Sequence, residues 1–478
     1  MSRTPHSFEL TRRAAMGVLA VGAASAALWP RRPRSQLRVP AGRVTLQYWE
    51  KWTGPEGEAV QSIVDEFNAS QDRIWVVRTP VSDIAAKAMV AIGGGDPPDI
   101  VGLYSYNVPL FAEAKAAMST DEFDGTRVDG NSALIDPDEY APAVRNLLSF
   151  EGRQWAGVNT CYTLALYYNR AVFRDAGIDP DRPPRTTAEL DALAARLDVF
   201  NGSSSDGDLL RAGFLPNLPA WWPYFCPIMF GGKLYDPIGK RALLDEPASV
   251  KAYTWVQGYP TRLGPARSAK FANSHGRSFH SPQDPFISGK VAMIVQGPWI
   301  ANFINLYGPR DAAGKQLLDF AAAPVPVDED VYDPSAPLGM LEADVLMIPR
   351  GCPHPEEAYA FLAFTQRRGV QEKLAYLHCK SSPMRRLSPG FMENHPSPRC
   401  VGVHDAVVRS PRATILPQTR AWQQMADLTN GAFDAIWNGA EPASVLARIQ
   451  SRAQENVDKA EAMKRRRSEA EAGSEQRP

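Results

Sequence analysis

From Val44 onward, short apolar runs alternate with amphipathic stretches. Val44-Thr-Leu-Gln-Tyr-Trp49 has strand composition, and Gly54-Pro55 ends the loop behind it. Over residues 56–70, Val60, Ile63, Val64 and Phe67 fall at helical spacing, which predicts a helix with one buried face. Ile74-Trp-Val-Val77 reads as a second strand, 83–92 as a helix closed by Gly93-Gly94-Gly95, and Ile100-Val101 opens a third strand. The alternation predicts an α/β fold with a mostly parallel sheet and helices on both faces. It resumes with Leu164-Ala-Leu-Tyr-Tyr-Asn169, a helix over 170–176, and a helix capped by Thr187 that carries Leu190, Leu193 and Leu197. Further on, Val345-Leu-Met-Ile348 has strand character and Pro355-Glu356 opens a helix through 365. No internal repeat is visible. The charged end, 461–478, is expected to be disordered.

One stretch carries more information than the others. In Pro285-Phe-Ile-Ser-Gly-Lys-Val-Ala-Met-Ile-Val-Gln-Gly-Pro-Trp299, a turn at Ser288-Gly289-Lys290 feeds an apolar run too short for a helix. The run ends at Gln296-Gly297-Pro298-Trp299. Ligands bind beyond the carboxyl ends of strands in open α/β sheets, so Trp299 is placed to offer a flat apolar face.

The amino terminus reads as a targeting segment. Thr11-Arg12-Arg13 precedes an apolar run over 14–29, with Ala24-Ser25-Ala26 as a small-residue cleavage site. The paired arginines resemble a twin-arginine export signal, with Ala14-Ala15 where a bulky apolar pair is usual. No cysteine follows the run, which argues against a lipoprotein anchor; cleavage and retention as a membrane anchor both stay open. Residues 30–42 are a Pro/Arg-rich linker, and the mature chain is expected outside the cytoplasm, in the periplasm or its equivalent.

Composition narrows the function classes. With 52 Lys plus Arg against 53 Asp plus Glu, the net charge of −1 gives no reason to expect nucleic acid or an anionic membrane as partner. The 478 residues suffice for two lobes. Five scattered cysteines (Cys161, Cys226, Cys352, Cys379, Cys400) make no metal motif; they allow one disulfide among Cys352, Cys379 and Cys400, or five buried thiols. No GxSxG elbow, HExxH helix or histidine pair at i,i+4 occurs, so an enzyme is not expected, and no metal or cofactor is implied.

Several segments in order resemble the family 1 extracellular solute-binding proteins, the capture subunits of ABC importers. They are Gly95-Asp-Pro-Pro-Asp-Ile-Val101, Gly152-Arg-Gln-Trp-Ala-Gly157, Leu166-Tyr-Tyr-Asn169 and Phe173, then Ala176-Gly177-Ile178 and Pro183-Pro184-Arg185-Thr186. Gly289-Lys-Val-Ala-Met293 with Gly297-Pro-Trp299, then Leu346-Met-Ile-Pro349, Phe361-Leu-Ala-Phe364 and Ser382-Pro383, complete the set. The resemblance implies an α/β, two-lobed periplasmic-binding-protein-like fold (type II), with the ligand cleft between lobes joined by crossover segments. It divides the chain into a first lobe over 43–160 with 322–365 and a second over 161–321 with 366–460. Crossovers are expected near Thr160, Val325 and Gln366. It further implies a monomer that closes around a small carbohydrate and delivers it to ABC permease subunits. A receptor-docking sensor would use the same recognition.

Sugars present hydroxyls and an apolar face, so a site needs aromatic plates with charged or amide groups in a cleft. Trp49, Glu50 and Trp52 end the first strand; Tyr104 and Tyr106 follow the third. Asn159 and Tyr162 flank the first crossover; by resemblance, Tyr162 stands where some relatives carry an acid. Trp221 and Trp222 lie in a Pro-rich loop, and Gln296 precedes the Trp299 turn. Gly339, Met340 and Glu342 stand where the family has small residues with backbone donors, and Arg385 follows the closing proline at the rim. The candidate loops supply few cations (Lys51 and Arg385), which favours a neutral sugar over a phosphate ester.

Overall fold

The first strand, β1 (Val44–Glu50), buries Leu46, Tyr48 and Glu50 on one face, the period of two expected of a sheet. This is a computed structural model, and it describes residues 39–475 apart from positions 126, 129–130, 133–134, 203–206 and 277. The export signal lies outside the described residues. Helix α1 (Gly54–Ser70) packs Val60, Ile63, Val64 and Phe67 inward and leads to β2 (Ile74–Pro80); α2 (Ile84–Gly93) leads to β3 (Ile100–Tyr104). These three strands are parallel, in the order β2-β1-β3.

The remainder of the sheet departs from the expected parallel arrangement. Strand β4 (Gly157–Thr163) leads through Leu164 into β5 (Ala165–Asn169), the centre of a second, wholly antiparallel sheet. Helix α3 (Thr187–Leu197) follows, and its capping oxygen comes from Thr186, which accepts from the Glu189 N–H, not from Thr187. The flanking strands of that second sheet are β6 (Met293–Gln296), which leads to α4 (Trp299–Tyr307), and β7 (Phe320–Ala323). The chain then returns as β8 (Gly339–Pro349), which runs antiparallel to both β3 and β4. Apolar periodicity reports that a segment is a strand and not which way it runs, so the mixed pairing was invisible to it.

Two large hydrophobic cores result. One gathers Leu46, Val64, Leu103, Val158, Leu346 and Phe361; the other gathers Leu166, Phe173, Ile228, Phe286, Ile294 and Ile304. Strand β4 passes between them from Cys161 to Tyr162, and β8 passes back from Met340 to Leu341. Several expected lobe assignments change. Ala323 and Val325 belong to the second core, because β7 pairs with β5; Val370 and Leu374 stay in the first. The latter two lie on α6 (Arg368–Leu377), which follows α5 (Pro355–Thr365).

After α7 (Pro398–Val408) and β9 (Ala413–Thr414), α8 (Trp422–Trp437) and α9 (Pro442–Glu475) close the second lobe. Val445, Leu446, Ile449, Ala453, Val457 and Ala460 form the docking stripe of α9. The charged segment expected to be disordered continues this helix to Glu475: a docked first half supplies the nucleus, and its Ala, Glu, Lys and Arg residues propagate it. All five cysteines are buried and unpaired, the second of the two arrangements the sequence allows. Among the described residues, no helix is long and apolar enough to cross a membrane.

Candidate functional site

Between the two cores lies a cavity of about 400 Å³. Its lining includes Trp52, Tyr104, Tyr106, Tyr162, Trp221, Trp222, Trp299 and Glu342, all singled out from the sequence. Trp52 follows the carboxyl end of β1, Tyr104 ends β3 and Trp299 follows β6, so three strands deliver aromatic rings to one place. Tyr104 stacks on Tyr106 at 5.2 Å between centroids, and Trp52 meets Tyr104 edge-on at 6.3 Å. Trp299 stands edge-on to Tyr162 at 5.0 Å, and Trp222 lies 6.0 Å from Trp299. Gly297 explains how the Trp299 ring fits: a side-chain carbon there would overlap the indole.

The opposite wall is looser. Trp221 is 38% exposed and packs edge-on against Trp222, Phe279 and His280. His280 stacks on Phe303 at 3.9 Å. Ala220 and His280 both hold left-handed backbone, with φ of 62° and 57°. For non-glycine residues that conformation persists only where the surroundings impose it, commonly at ligand sites.

The cavity floor is polar. On paired positions of β4 and β8, the Tyr162 hydroxyl donates to Glu342 Oε2. Glu342 is 1% exposed and its Oε1 has no protein partner. Burial pushes its carboxyl up to about 8; Tyr162 opposes this, Asp344 adds to it and Lys51 opposes. Near neutral pH the group is therefore chiefly the acid, which can donate as well as accept. The indole nitrogens of Trp52 and Trp299 are likewise buried without partners.

Two residues beyond Glu342, on the same face of β8, Asp344 organises the cations. Its Oδ2 accepts from Thr160 Oγ1 at 2.6 Å and lies 3.1 Å from Lys380 Nζ; its Oδ1 lies 3.2 Å from Lys51 Nζ. Burial alone would raise the Asp344 carboxyl, but Lys51 and Lys380 hold it well below the usual carboxylate range. Lys380 Nζ also donates to Thr160 Oγ1 at 2.8 Å, and it sits 5.7 Å from the Trp52 and Tyr162 rings and 5.8 Å from Trp299. A helix ending places it there. The Cys379 N–H reaches Tyr376 and the Lys380 N–H reaches Ala375, a Schellman closure of α6 with Cys379 at φ 54°.

Seven sequence candidates do not line the cavity. Trp49 packs half-buried against the first core. Glu50 is saturated: it accepts from the Tyr48 hydroxyl, Asn159 Nδ2 and the backbone N–H groups of Lys51 and Trp52, so it shapes the turn that carries Trp52. Asn159 is buried as one of its donors. Gln296 is buried and accepts from the Gly297 N–H. A side chain at Gly339 would strike Val407, Met340 belongs to the second core, and Arg385 is exposed with its N–H on the Glu139 carbonyl.

Thr53, Glu56, Tyr224, His280 and Lys380 line the cavity without having been singled out. For Lys380 a signal existed in the partner strand. Glu342 and Asp344 share one face of the apolar run 341–348, and buried acids so placed require a donor or a cation. Among the described residues, no group of His, Cys, Asp and Glu is arranged to hold a metal ion.

Comparison with known proteins gives a consistent picture. Residues 51–372 match the family described as bacterial extracellular solute-binding protein. The sn-glycerol-3-phosphate-binding periplasmic protein UgpB of Yersinia pestis is 29% identical over 164 residues, 33% of this chain and 36% of that protein. The maltotriose-binding protein of Pyrococcus abyssi is 22% identical over 295 residues, 60% of this chain and 54% of that protein. The chain thus spans only about a third to a half of these curated relatives. Among solved structures, CpMnBP1 with mannotriose bound superposes with a TM-score of 0.72 at 24% identity, over 86% of this chain and 100% of that one. At that identity the likeness establishes the two-lobed fold.

Proposed function

The chain belongs to the bacterial extracellular solute-binding protein family, and from that premise we propose that it captures a carbohydrate by closure of its two lobes and delivers it to an ABC-transporter permease. The observation that carries this reading is the cavity itself. Its aromatic plates come from both lobes, and its floor offers Glu342, Lys380 and tyrosine hydroxyls between them. Plates take the apolar face of a sugar ring, and the floor takes its hydroxyls. Relatives named for maltotriose and glycerol 3-phosphate binding agree with capture of a small polyhydroxylated solute. Export follows the amino-terminal signal, and we assign it to the twin-arginine route on Arg12-Arg13.

Ligand that binds only the folded form raises the melting temperature by mass action. A thermal-shift screen of the full chain against mono- and oligosaccharides, polyols and glycerol phosphates therefore tests the reading. A rise with one carbohydrate class, diminished by Trp299→Ala, supports capture in this cavity. A rise undiminished in both Trp299→Ala and Trp221→Ala places the ligand elsewhere, and silence across the panel refutes carbohydrate capture.

A further inference from the structure

We propose that Asp344, without touching the ligand, makes the cavity selective for uncharged solutes by neutralising Lys380, the lysine in its floor. The inference rests on the capture reading above and names the ligand's charge class.

The geometry is a closed triangle. Lys380 Nζ, Thr160 Oγ1 and Asp344 Oδ2 are mutually bonded at 2.8, 2.6 and 3.1 Å. All three side chains are buried, Asp344 completely. An ammonium has three N–H donors, and the triangle uses two. The third is left among the faces of Trp52, Tyr162 and Trp299, on the cavity side, where a ligand oxygen can take it. Lys380 is thus available as a donor while its charge is already matched.

Counting the neighbours extends the point. Lys51 is matched by Asp344 at 3.2 Å and by Glu50 at 3.6 Å. The two ammonium groups therefore face two carboxylates, and the acids that line the cavity, Glu342 and Glu56, add no positive charge. A phosphate or carboxylate entering this cavity would lose its hydration with no uncompensated cation to meet it, a heavy cost in a site walled by aromatic rings. A hydroxyl loses little and finds one donor at Lys380 and, at the unpartnered Glu342 Oε1, a carboxyl group that can donate as well as accept. Recognition of the ligand by hydrogen bonds alone favours neutral polyols and sugars over their phosphate esters or acids.

The test compares the full-length wild type with Asp344→Asn, using sn-glycerol 3-phosphate, inorganic phosphate and maltotriose as probes at low ionic strength, read by thermal shift and calorimetry. The wild type should ignore both phosphates. Asp344→Asn, with Lys380 unmatched, should gain phosphate affinity by about a hundredfold, a change that a merely structural role for Asp344 would not produce. Phosphate binding by the wild type overturns the proposal and leaves solute capture standing. A folded Asp344→Asn protein, checked by near-ultraviolet circular dichroism, that stays blind to both phosphates also overturns it. Should that variant not fold, the wild-type measurement decides alone, since low ionic strength gives any unmatched cation its best chance. Failure with maltotriose and every other neutral carbohydrate counts against the capture reading, not against the charge balance.

Discussion

Replacing Glu342 with glutamine should make the protein more stable at alkaline pH, and the size of the effect follows from the burial of that carboxyl. In the unfolded chain the group titrates at its ordinary 4.5; in the folded protein it is pushed up to about 8. Between those values the folded state holds a proton that the unfolded state has lost. Stability from this group is therefore complete below about 4.5 and declines as pH rises through about 8, where the carboxylate must be buried as an ion. Each pH unit within that window costs about 1.4 kcal/mol, so about 3 kcal/mol separates pH 5 from pH 7. Glutamine keeps the shape, can accept the Tyr162 hydroxyl through its carbonyl oxygen, and cannot ionise. Guanidinium unfolding of wild type and Glu342→Gln between pH 5 and 9 reads the difference directly. Groups that the substitution does not touch cancel in it, including His378 and His404, which burial lowers to about 3. Curves for the two proteins that run parallel across this range would refute the argument.

Other consequences are as definite. Trp221→Ala and Trp299→Ala should each weaken ligand binding by roughly 1–3 kcal/mol, about 5- to 150-fold in Kd by calorimetry; Trp221, being 38% exposed, should cost little stability. Gly297→Ala should drive the Trp299 indole from its seat, lowering stability by about 1–3 kcal/mol and altering the near-ultraviolet circular dichroism along with Kd. Lys380→Met strands one side of Asp344 and should cost about 3 kcal/mol in chemical denaturation, at the lower end for a broken buried pair because Lys51 remains.

Residue type and local spacing made part of this site legible. Tryptophan or tyrosine just beyond the end of an apolar run is a local signal, and Trp52, Tyr104, Tyr106 and Trp299 were found by it. The same logic misled at Trp49 and Glu50. They lie on β1 itself, where alternation turns Trp49 against the first core and Glu50 into a buried turn. Lys380 escaped because Cys379-Lys380-Ser381-Ser382-Pro383 reads as a surface loop, and only the folded chain brings it to Asp344, 36 positions away. Strand direction escaped for a related reason. The course of β8 depends on its partner β4, far earlier in the chain, and no window of sequence contains both.

Because β8 crosses from one core to the other between Met340 and Leu341, the fulcrum of any lobe closure lies at the cavity floor. Displacement grows with distance from a fulcrum. In a closure about that point Glu342 and Asp344, which sit next to it, would move least, while Trp221 and Trp222, on a loop that packs with the second core, would move further. A solute should therefore meet the least displaced hydrogen-bonding groups first, at a rate set by encounter, and be clasped by the swinging indoles second. Substitutions on the lever should quicken its escape, and substitutions at the fulcrum should also slow its arrival.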